Sequence, residues 1–345
     1  MRALKVVIVT CLTSWLMVLA VIGTVGAEAA GPRKPRPPKP TATASPTPTA
    51  TASPTATASP TPTATASPTP TATTSPTPTA TTSPTATTSP APTTDACGPQ
   101  PKKADGSAWQ CTLVDNFDGT TLNRNLWFVQ TNTATGGGTT CHVDNPANVA
   151  VAGGSLRLTV RKAAAPVPCA GKLANYTSGQ VSTFWKWSQQ YGRFEARMKN
   201  TATRERGLQE AFWLWPDARV PSNTYWPAAG EIDIVETYSL YPDLAIPFLH
   251  YTYYDNWGPV PGLNTAWDCV AHRGVWNTYA LEWTASRLEI FVNGKTCLVN
   301  TSGDPAFQKP YIIAFTQALG IQGNSYTGTA PLPATTEVDY IKVWK

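Results

Sequence analysis

Ser155-Leu-Arg-Leu-Thr-Val-Arg161 alternates apolar and polar side chains with a period of two. Because successive side chains of a strand point to opposite faces, this pattern predicts a β-strand with one buried face. The same alternation occurs in Val338-Asp-Tyr-Ile-Lys-Val-Trp344 and in Ser286-Arg-Leu-Glu-Ile-Phe-Val292, which precedes the hairpin-turn pair Asn293-Gly294. No stretch of useful length shows helical periodicity. We therefore expect an antiparallel all-β sandwich or barrel, in which the strand around Leu113–Phe117 pairs with the last strand.

The chain divides into three segments of different composition. Residues 1–29 have a basic start, an apolar run and small residues at the end, which is the order typical of a secretory signal peptide. The alternative is an uncleaved membrane anchor, and both readings place the rest of the chain outside the cytoplasm. Residues 30–94 consist mainly of Pro, Thr, Ser and Ala, so they cannot form a core and are predicted to be a disordered linker. Residues 95–345 have the composition and length of one large β domain.

The charge balance of the domain excludes a nucleic-acid groove. Of the 26 Lys and Arg residues and the 21 Asp and Glu residues, six basic and one acidic residue lie before position 40. Residues 95–345 therefore carry 20 of each sign and no net charge. A nucleic-acid binding face would need an excess of Lys and Arg. We expect a neutral polymer as the partner and a monomeric protein.

The cysteines agree with export. Six cysteines fall in the domain, and an even number in an exported protein predicts disulfides. Sequential pairing is the preferred of the 15 arrangements, because each bridge would close a short loop. The domain has no Cys-x-x-Cys pair and contains three histidines, which disfavours a zinc-thiolate site.

The segment with the clearest chemistry is Gly230-Glu-Ile-Asp-Ile-Val-Glu-Thr237, which holds three carboxylates among apolar residues. Glu231 and Asp233 share one face of a strand, and a single β-bulge would return Glu236 to that face. Acids gathered on one face repel each other, so at least one should keep its proton to a raised pKa. This pairing of a charged and a protonated carboxyl is what glycoside hydrolysis needs. A solvated strand face and a calcium site are the alternatives that the spacing leaves open.

Glu-Ile-Asp-Ile-Val-Glu resembles the Glu-x-Asp-x-x-Glu signature of family 16 glycoside hydrolases, in the bulged form of laminarinase-like endo-β-1,3-glucanases. The similarity extends to Leu113–Gly119, Phe212–Trp215, Trp276–Trp283 and Val338–Trp344. The resemblance implies a legume-lectin-like jelly-roll β-sandwich with an open concave cleft. It also implies that Glu231 is the nucleophile, Glu236 the general acid/base, and Asp233 a helper that hydrogen-bonds the nucleophile. No cofactor is needed for this chemistry. Some relatives bind a structural calcium ion, for which Asp339 matches the family position and Asp118 and Gly154 are further candidates.

Sugar contacts are expected from aromatic side chains, because the C–H faces of sugar rings pack on flat rings. Trp213, Trp215 and Trp226 are the tryptophans nearest the acids in sequence. His250 lies on the next probable strand and is expected either to contact the sugar beside the cut or to be structural. Gln317 falls in a segment that often lines the cleft of the family, although the sequence after it departs from the family pattern.

Three other functions remain open at this level. The chain is either a glucanase or a relative that acts on a galactan, such as an agarase, a carrageenase or a cell-wall galactan hydrolase. A cell-wall transglycosylase tethered through the linker is another alternative, and a non-catalytic lectin on the same sandwich is a third. A sulfated galactan would require free basic residues in the cleft, for which the arginines between Arg193 and Arg206 are the candidates.

Overall fold

The computed structural model describes residues 94–220, 225–251 and 260–345. The leader at 1–29 and the linker up to residue 93 lie outside the described residues, so both assignments stay predictions. Within the described ranges, helical structure is limited to three 3-10 turns, at Gly136–Gly138, Pro305–Phe307 and Gln322–Asn324. None of the helices found there has the length and apolar character needed to cross a membrane.

The described residues form twenty strands, numbered here in chain order. They are β1 Thr94–Asp95, β2 Gly98–Pro99, β3 Cys111–Asp115, β4 Phe128–Val129, β5 Thr133–Thr135, β6 Thr140–His142, β7 Val149–Val151, β8 Leu156–Cys169, β9 Lys172–Ser178, β10 Gln180–Ser182, β11 Gly192–Asn200, β12 Leu208–Pro216, β13 Glu231–Tyr238, β14 Leu244–His250, β15 Cys269–Val270, β16 Asn277–Trp283, β17 Leu288–Val292, β18 Lys295–Asn300, β19 Tyr311–Leu319 and β20 Ala334–Trp344. The predicted alternating segments thus fall in β8, β17 and β20.

Two large sheets pack face to face. The seven-stranded sheet has the order β15-β14-β13-β12-β19-β10-β4, and the eleven-stranded sheet has the order β18-β17-β16-β11-β20-β8-β9-β6-β5 with β3 and β7 attached to β20 and β8. One hydrophobic core fills the space between them. Phe212 and Phe315 enter it from the seven-stranded sheet, and Phe194 and Ile341 enter it from the eleven-stranded sheet. The expected β-sandwich is therefore confirmed.

Local signals in the sequence account for the pairing of the strands. β11 alternates buried and half-buried residues along its whole length, as a strand with one core-facing side should. β20 pairs with β3, which confirms that the first long strand and the last are neighbours. Asn293 and Gly294 join β17 to β18 with φ of 51° and 76°. Positive φ at both positions is the requirement of a tight hairpin turn, so the Asn-Gly prediction is also confirmed.

Three disulfides close short loops, as the sequential pairing predicts. They join Cys97 to Cys111, Cys141 to Cys169, and Cys269 to Cys297, with sequence separations of 14, 28 and 28 residues. Loops of this size restrict the unfolded chain by about 3 kcal/mol per bridge in the chain-entropy account. The bridges brace the edges of both sheets, because Cys269 begins β15 and Cys297 lies within β18.

Candidate active site

The three carboxylates lie on β13, which begins directly after Gly230. That glycine has φ of 92°, and a Cβ at this position would overlap the hydroxyl group of Tyr311, so no other residue fits there without displacement. Asp233 is opposite Trp213 on β12, but the next partners are Val235 and Phe212, so Ile234 is an extra residue. The predicted β-bulge is confirmed at this point. Its effect is to bury Ile234 and Val235 together in the core while Glu236 returns to the face of the other two acids.

Each acid has a specific polar partner on this outer face. The indole Nε1 of Trp226 donates to Glu231 Oε2 at 2.7 Å. The imidazole Nε2 of His250 lies 3.4 Å from Asp233 Oδ2, and Gln209 Nε2 donates to Glu236 Oε1 at 2.9 Å. A hydrogen bond from the side chain of Tyr238 also reaches Glu236. The relative exposures of Glu231, Asp233 and Glu236 are only 1%, 5% and 7%, so these contacts replace most of their water.

Burial makes two of the acids hold their protons unusually tightly. It raises the pKa of Asp233 to about 8 and, together with repulsion from Asp233, raises the pKa of Glu236 to about 7. The same burial lowers the pKa of His250 to about 4, so its imidazole is neutral at pH 7 and its contact with Asp233 is not an ion pair. The site therefore combines carboxyls that remain protonated near neutral pH with an uncharged imidazole. This is the environment required of a general acid.

The tryptophans that were predicted to bind sugar surround this cluster. Trp213 shares the outer face because it pairs with Asp233, but it is buried, and its Nε1 donates to Thr316 Oγ1 at 2.9 Å. Trp215 lies two residues further along the same face, is partly exposed and packs edge-on against Trp213. Trp226 is also partly exposed, and its ring centroid lies 5.2 Å from that of His250. Trp215 and Trp226 thus offer ring surface to a ligand, whereas the buried Trp213 packs against Trp215.

Gln317 does not line the cleft, so that prediction is wrong. It pairs with Glu210 on β12, one residue out of phase with the outer-face positions, and both side chains point between the sheets. Gln317 is fully buried, its Nε2 donates to Glu210 Oε1 at 3.2 Å, and its Oε1 accepts from Thr336 at 2.9 Å. Glu210 also forms a bidentate ion pair with Arg273 at 2.6 and 2.7 Å. This inner polar cluster explains why a glutamine occurs in an otherwise apolar strand.

Among the residues expected to bind calcium, Asp339 already has a cationic partner. Asp339 Oδ2 accepts a hydrogen bond of 2.7 Å from the guanidinium of Arg197. A positive group at this distance opposes a divalent cation. Among the described residues, neither Asp118 nor Asp339 belongs to a group of three His, Cys, Asp or Glu side chains with converging ligand atoms. The calcium site stays a prediction that these contacts do not support.

Two other clusters bring such ligand atoms together. Atoms of Glu231, Asp233 and His250 lie within 4.8 Å of one another, and a mixed carboxylate and imidazole set is able to hold a transition-metal ion. In the second cluster, Asp95 lies beside Cys97 and Cys111, whose thiols are already joined in a disulfide. Neither cluster is needed as a metal site for glycoside hydrolysis, which uses the carboxyl groups themselves.

Sequence reasoning missed Gln209, Tyr238 and Phe248 as members of the site. The signal for Gln209 was available, because it lies four residues before Trp213 and so shares its face. Phe248 stacks on the His250 ring with centroids 4.4 Å apart and an angle of 12° between the planes. Tyr238 falls on the acid face only because the bulge shifts the phase of β13.

Comparison with known proteins shows where these features recur. A family model described as "Glycosyl hydrolases family 16" matches residues 138–342. A β-glucanase of Rhodothermus marinus is 30% identical over 215 residues, which cover 57% of this chain and 70% of that protein. A glucan endo-1,3-β-glucosidase A1 of Niallia circulans is 28% identical over 269 residues, which cover 69% of this chain and 37% of that protein.

The solved structure of an endo-β-1,3-glucanase from Pyrococcus furiosus aligns with a TM-score of 0.61. The alignment covers 70% of this chain and 96% of that one, at 24% sequence identity. At that identity the likeness shows the fold alone, and it confirms the expected jelly-roll sandwich.

Proposed function

Because the chain belongs to family 16 of the glycosyl hydrolases, it is a glycoside hydrolase, and we propose that it is an exported, retaining endo-β-1,3-glucanase. The substrate under this proposal is a laminarin-type glucan that is cut at internal bonds. The observation that carries the proposal is the bulged strand β13, which gathers three buried acids on one face and leaves Glu236 protonated to about pH 7. The relatives that are named β-glucanase and glucan endo-1,3-β-glucosidase support the choice of substrate.

In the first step, a carboxylate oxygen of Glu231 attacks the anomeric carbon while the bond from that carbon to the glycosidic oxygen breaks. Glu236 gives its proton to the departing oxygen. The Trp226 N–H supports the attacking group, because it fixes one oxygen of Glu231 at 2.7 Å and favours the ionised carboxylate. Asp233 lies on the same face as Glu231 and holds a proton to about pH 8, so the proposal gives it the role of a hydrogen-bond donor to the nucleophile.

In the second step, water attacks the anomeric carbon of the glycosyl-enzyme ester, and Glu231 leaves as a carboxylate. Glu236 lost its proton in the first step, so it now accepts one from the water. Electrostatics favours this change of role. Formation of the ester removes the negative charge of Glu231, and a nearby negative charge is one of the factors that raise the pKa of an acid. Glu236 is therefore a better proton donor after the attack begins and is restored when the ester is hydrolysed.

A neutral substrate fits the charges around the sheet. Three of the four arginines that a sulfated galactan would use are already paired with acids, and Arg206 contacts the carbonyl of Gly323. Arg193 bonds to Glu282 at 2.6 Å, and Arg197 bonds to Asp339 at 2.7 Å. Arg204 lies 3.0 Å from an oxygen of Asp243. Together with the zero net charge of residues 95–345, these pairs favour an uncharged glucan.

Product release by the purified protein tests the proposal. The substrates are laminarin, mixed-linkage glucan, agarose, carrageenan and a bacterial cell-wall galactan, and Glu231→Gln is the inactive control. We expect oligosaccharides from laminarin, with the β-anomer appearing first in a proton NMR time course because two inversions retain configuration. Products from a galactan alone would change the proposed substrate and leave the proposed mechanism unchanged. Binding without products from any polymer would replace the hydrolase proposal with the lectin alternative.

We also propose that the protein acts outside the cytoplasm and that the linker keeps it near the cell envelope. Three disulfides support the first part, because such bridges persist in oxidising compartments. Fractionation of the producing cells into medium, envelope and cytoplasm tests both parts. Protein recovered mainly from the cytoplasm would contradict export. Equal release of the full chain and of a variant lacking residues 30–94 into the medium would contradict a tether.

A further inference from the structure

Trp185 combines large exposure with an unfavourable backbone conformation. Its relative exposure is 57%, although tryptophan is among the largest apolar side chains. Its φ is 59°, in the left-handed region that disfavours any residue with a Cβ and especially a bulky one. A glycine would relieve the strain and give up only the partial burial of the indole against Phe184. Strained residues of this kind cluster at functional sites, so the conformation indicates a functional role for the side chain of Trp185.

The turn that carries Trp185 is held in place from both sides. The Thr183 hydroxyl donates to the carbonyl of Trp187 at 2.7 Å, and the backbone N–H of Trp187 donates back to the carbonyl of Thr183 at 3.0 Å. Lys186 Nζ donates to the carbonyl of Arg124 at 2.7 Å. These bonds fix the backbone independently of the indole ring. The hydrogen bonds of the turn therefore hold Trp185 in its exposed position.

The register of the seven-stranded sheet places this turn on the face of the acids. Ser182, Ala314, Trp213 and Asp233 are successive partners across β10, β19, β12 and β13. Partners in one row point to the same side of a sheet. Ser182, which ends β10, therefore lies on the acid face three strands from Asp233, about 14 Å away at about 4.8 Å per strand.

Aromatic contacts continue from this row to Trp185. Phe128 pairs with Ser182 on the edge strand β4 and so shares the acid face. The Phe184 ring packs edge-on against Phe128 with centroids 5.7 Å apart, and Trp185 packs edge-on against Phe184 at 6.0 Å. The indole thus stands at the rim of the face that carries the acids, supported by two rings and open to solvent.

We propose that Trp185 stacks on a sugar ring of the bound polysaccharide, several units away from the bond that is cut. This inference rests on the proposed function and adds a distal subsite to it. A chain that crosses the strands from β13 towards β4 passes Trp215 near the acids and reaches Trp185 at the rim. An exposed indole offers the flat apolar surface that the C–H face of a pyranose needs.

Kinetics on laminari-oligosaccharides of increasing length and on laminarin test this subsite. Trp185→Ala is expected to raise KM on laminarin roughly tenfold, the fold-change of one lost ring contact, and to leave kcat unchanged. Activity on the shortest cleaved oligosaccharide should not change, because such a substrate does not reach the rim. Trp185→Gly should show the same kinetics with an equal or higher melting temperature, since glycine accepts φ of 59°. Leu173→Ala removes another exposed apolar side chain, 67% exposed on β9 of the other sheet, and serves as the matched control.

The outcomes separate this inference from the proposed function. Unchanged KM of both Trp185 variants on laminarin would overturn the subsite while the glucanase stands. An equal loss on short and long substrates would also overturn it, because it would mean a structural role. If the wild type cleaves only a galactan, the glucanase proposal fails, and the same comparison is made on that polymer, where an unchanged KM again overturns the subsite.

Discussion

Replacement of Glu236 by glutamine should stabilise the protein in a way that depends on pH. Glu236 is buried, and its pKa rises from an ordinary value of 4.5 to about 7 on folding. Above pH 4.5 the unfolded chain loses this proton while the folded protein keeps it. Ionisation therefore favours the unfolded state increasingly between pH 4.5 and about 7. Glutamine cannot ionise and can still accept the hydrogen bond from Gln209, so the variant escapes this penalty.

The size of the effect follows from the shift. One pKa unit corresponds to about 1.4 kcal/mol, so the penalty at pH 7 is about 3 kcal/mol. It should be near zero at pH 4, where the carboxyl is protonated in both states. For a domain of this size, about 3 kcal/mol corresponds to a rise in melting temperature of roughly 6 to 12 °C.

Denaturant unfolding of the wild type and Glu236→Gln at pH 4, 5, 6 and 7, with the disulfides intact, measures this difference. The gap in unfolding free energy should open steadily with pH while activity is lost at every pH. Glu205→Gln, a change at an exposed glutamate, controls for the general effect of removing one negative charge. A gap that is constant from pH 4 to pH 7, or a less stable variant at pH 7, would refute the argument that burial raises the pKa of Glu236.

Three further predictions concern the partners of Glu236, Glu231 and Glu210. In the wild type, kcat/KM should fall as pH rises through about 7, because Glu236 then loses the proton it donates. Gln209→Leu removes a hydrogen bond to the ionised form of Glu236, so this fall in the pH–rate profile should move to higher pH. A fall at the same pH as in the wild type would contradict this. Trp226→Phe removes the N–H held by the nucleophile and should lower kcat roughly 100-fold, with KM changing less, by steady-state kinetics. Arg273→Met leaves the carboxylate of Glu210 buried without its cation and should cost about 3 to 5 kcal/mol in denaturant unfolding, whereas a loss below about 1 kcal/mol would mean that water compensates.

The parts of the fold that sequence could predict are those with one buried face. Alternation in Leu156–Arg161 and Leu288–Val292 specifies strands because every second side chain must reach the core. The bulge in β13 was also predictable, because Glu231 and Glu236 are five residues apart and can share a face only if one residue is inserted between them. These inferences use the spacing of residues along one strand, which can be read directly from the sequence.

The contacts of a side chain could not be predicted where they depend on the register between strands. Gln317 was expected in the cleft, but its face is decided by its pairing with Glu210, more than one hundred residues earlier. The ion pair between Asp339 and Arg197 likewise depends on the pairing of two strands that are far apart in the sequence. The face of Gln209 follows from its spacing to Trp213, whereas its contact with Glu236 exists only once β12 and β13 are paired. Composition carries no record of these partners.

The inner polar cluster gives a physical reason why the bulged strand keeps its register. A slip of one residue would move Glu236 to the core face and would carry core residues such as Ile232 to the outer face. Thr237, the neighbour of Glu236, donates to Glu210 at 2.7 Å and accepts from Asn200 at 2.8 Å. Glu210 is held in turn by Arg273. A slipped strand would leave this buried group without partners, so the cluster between the sheets fixes which side of β13 carries the acids.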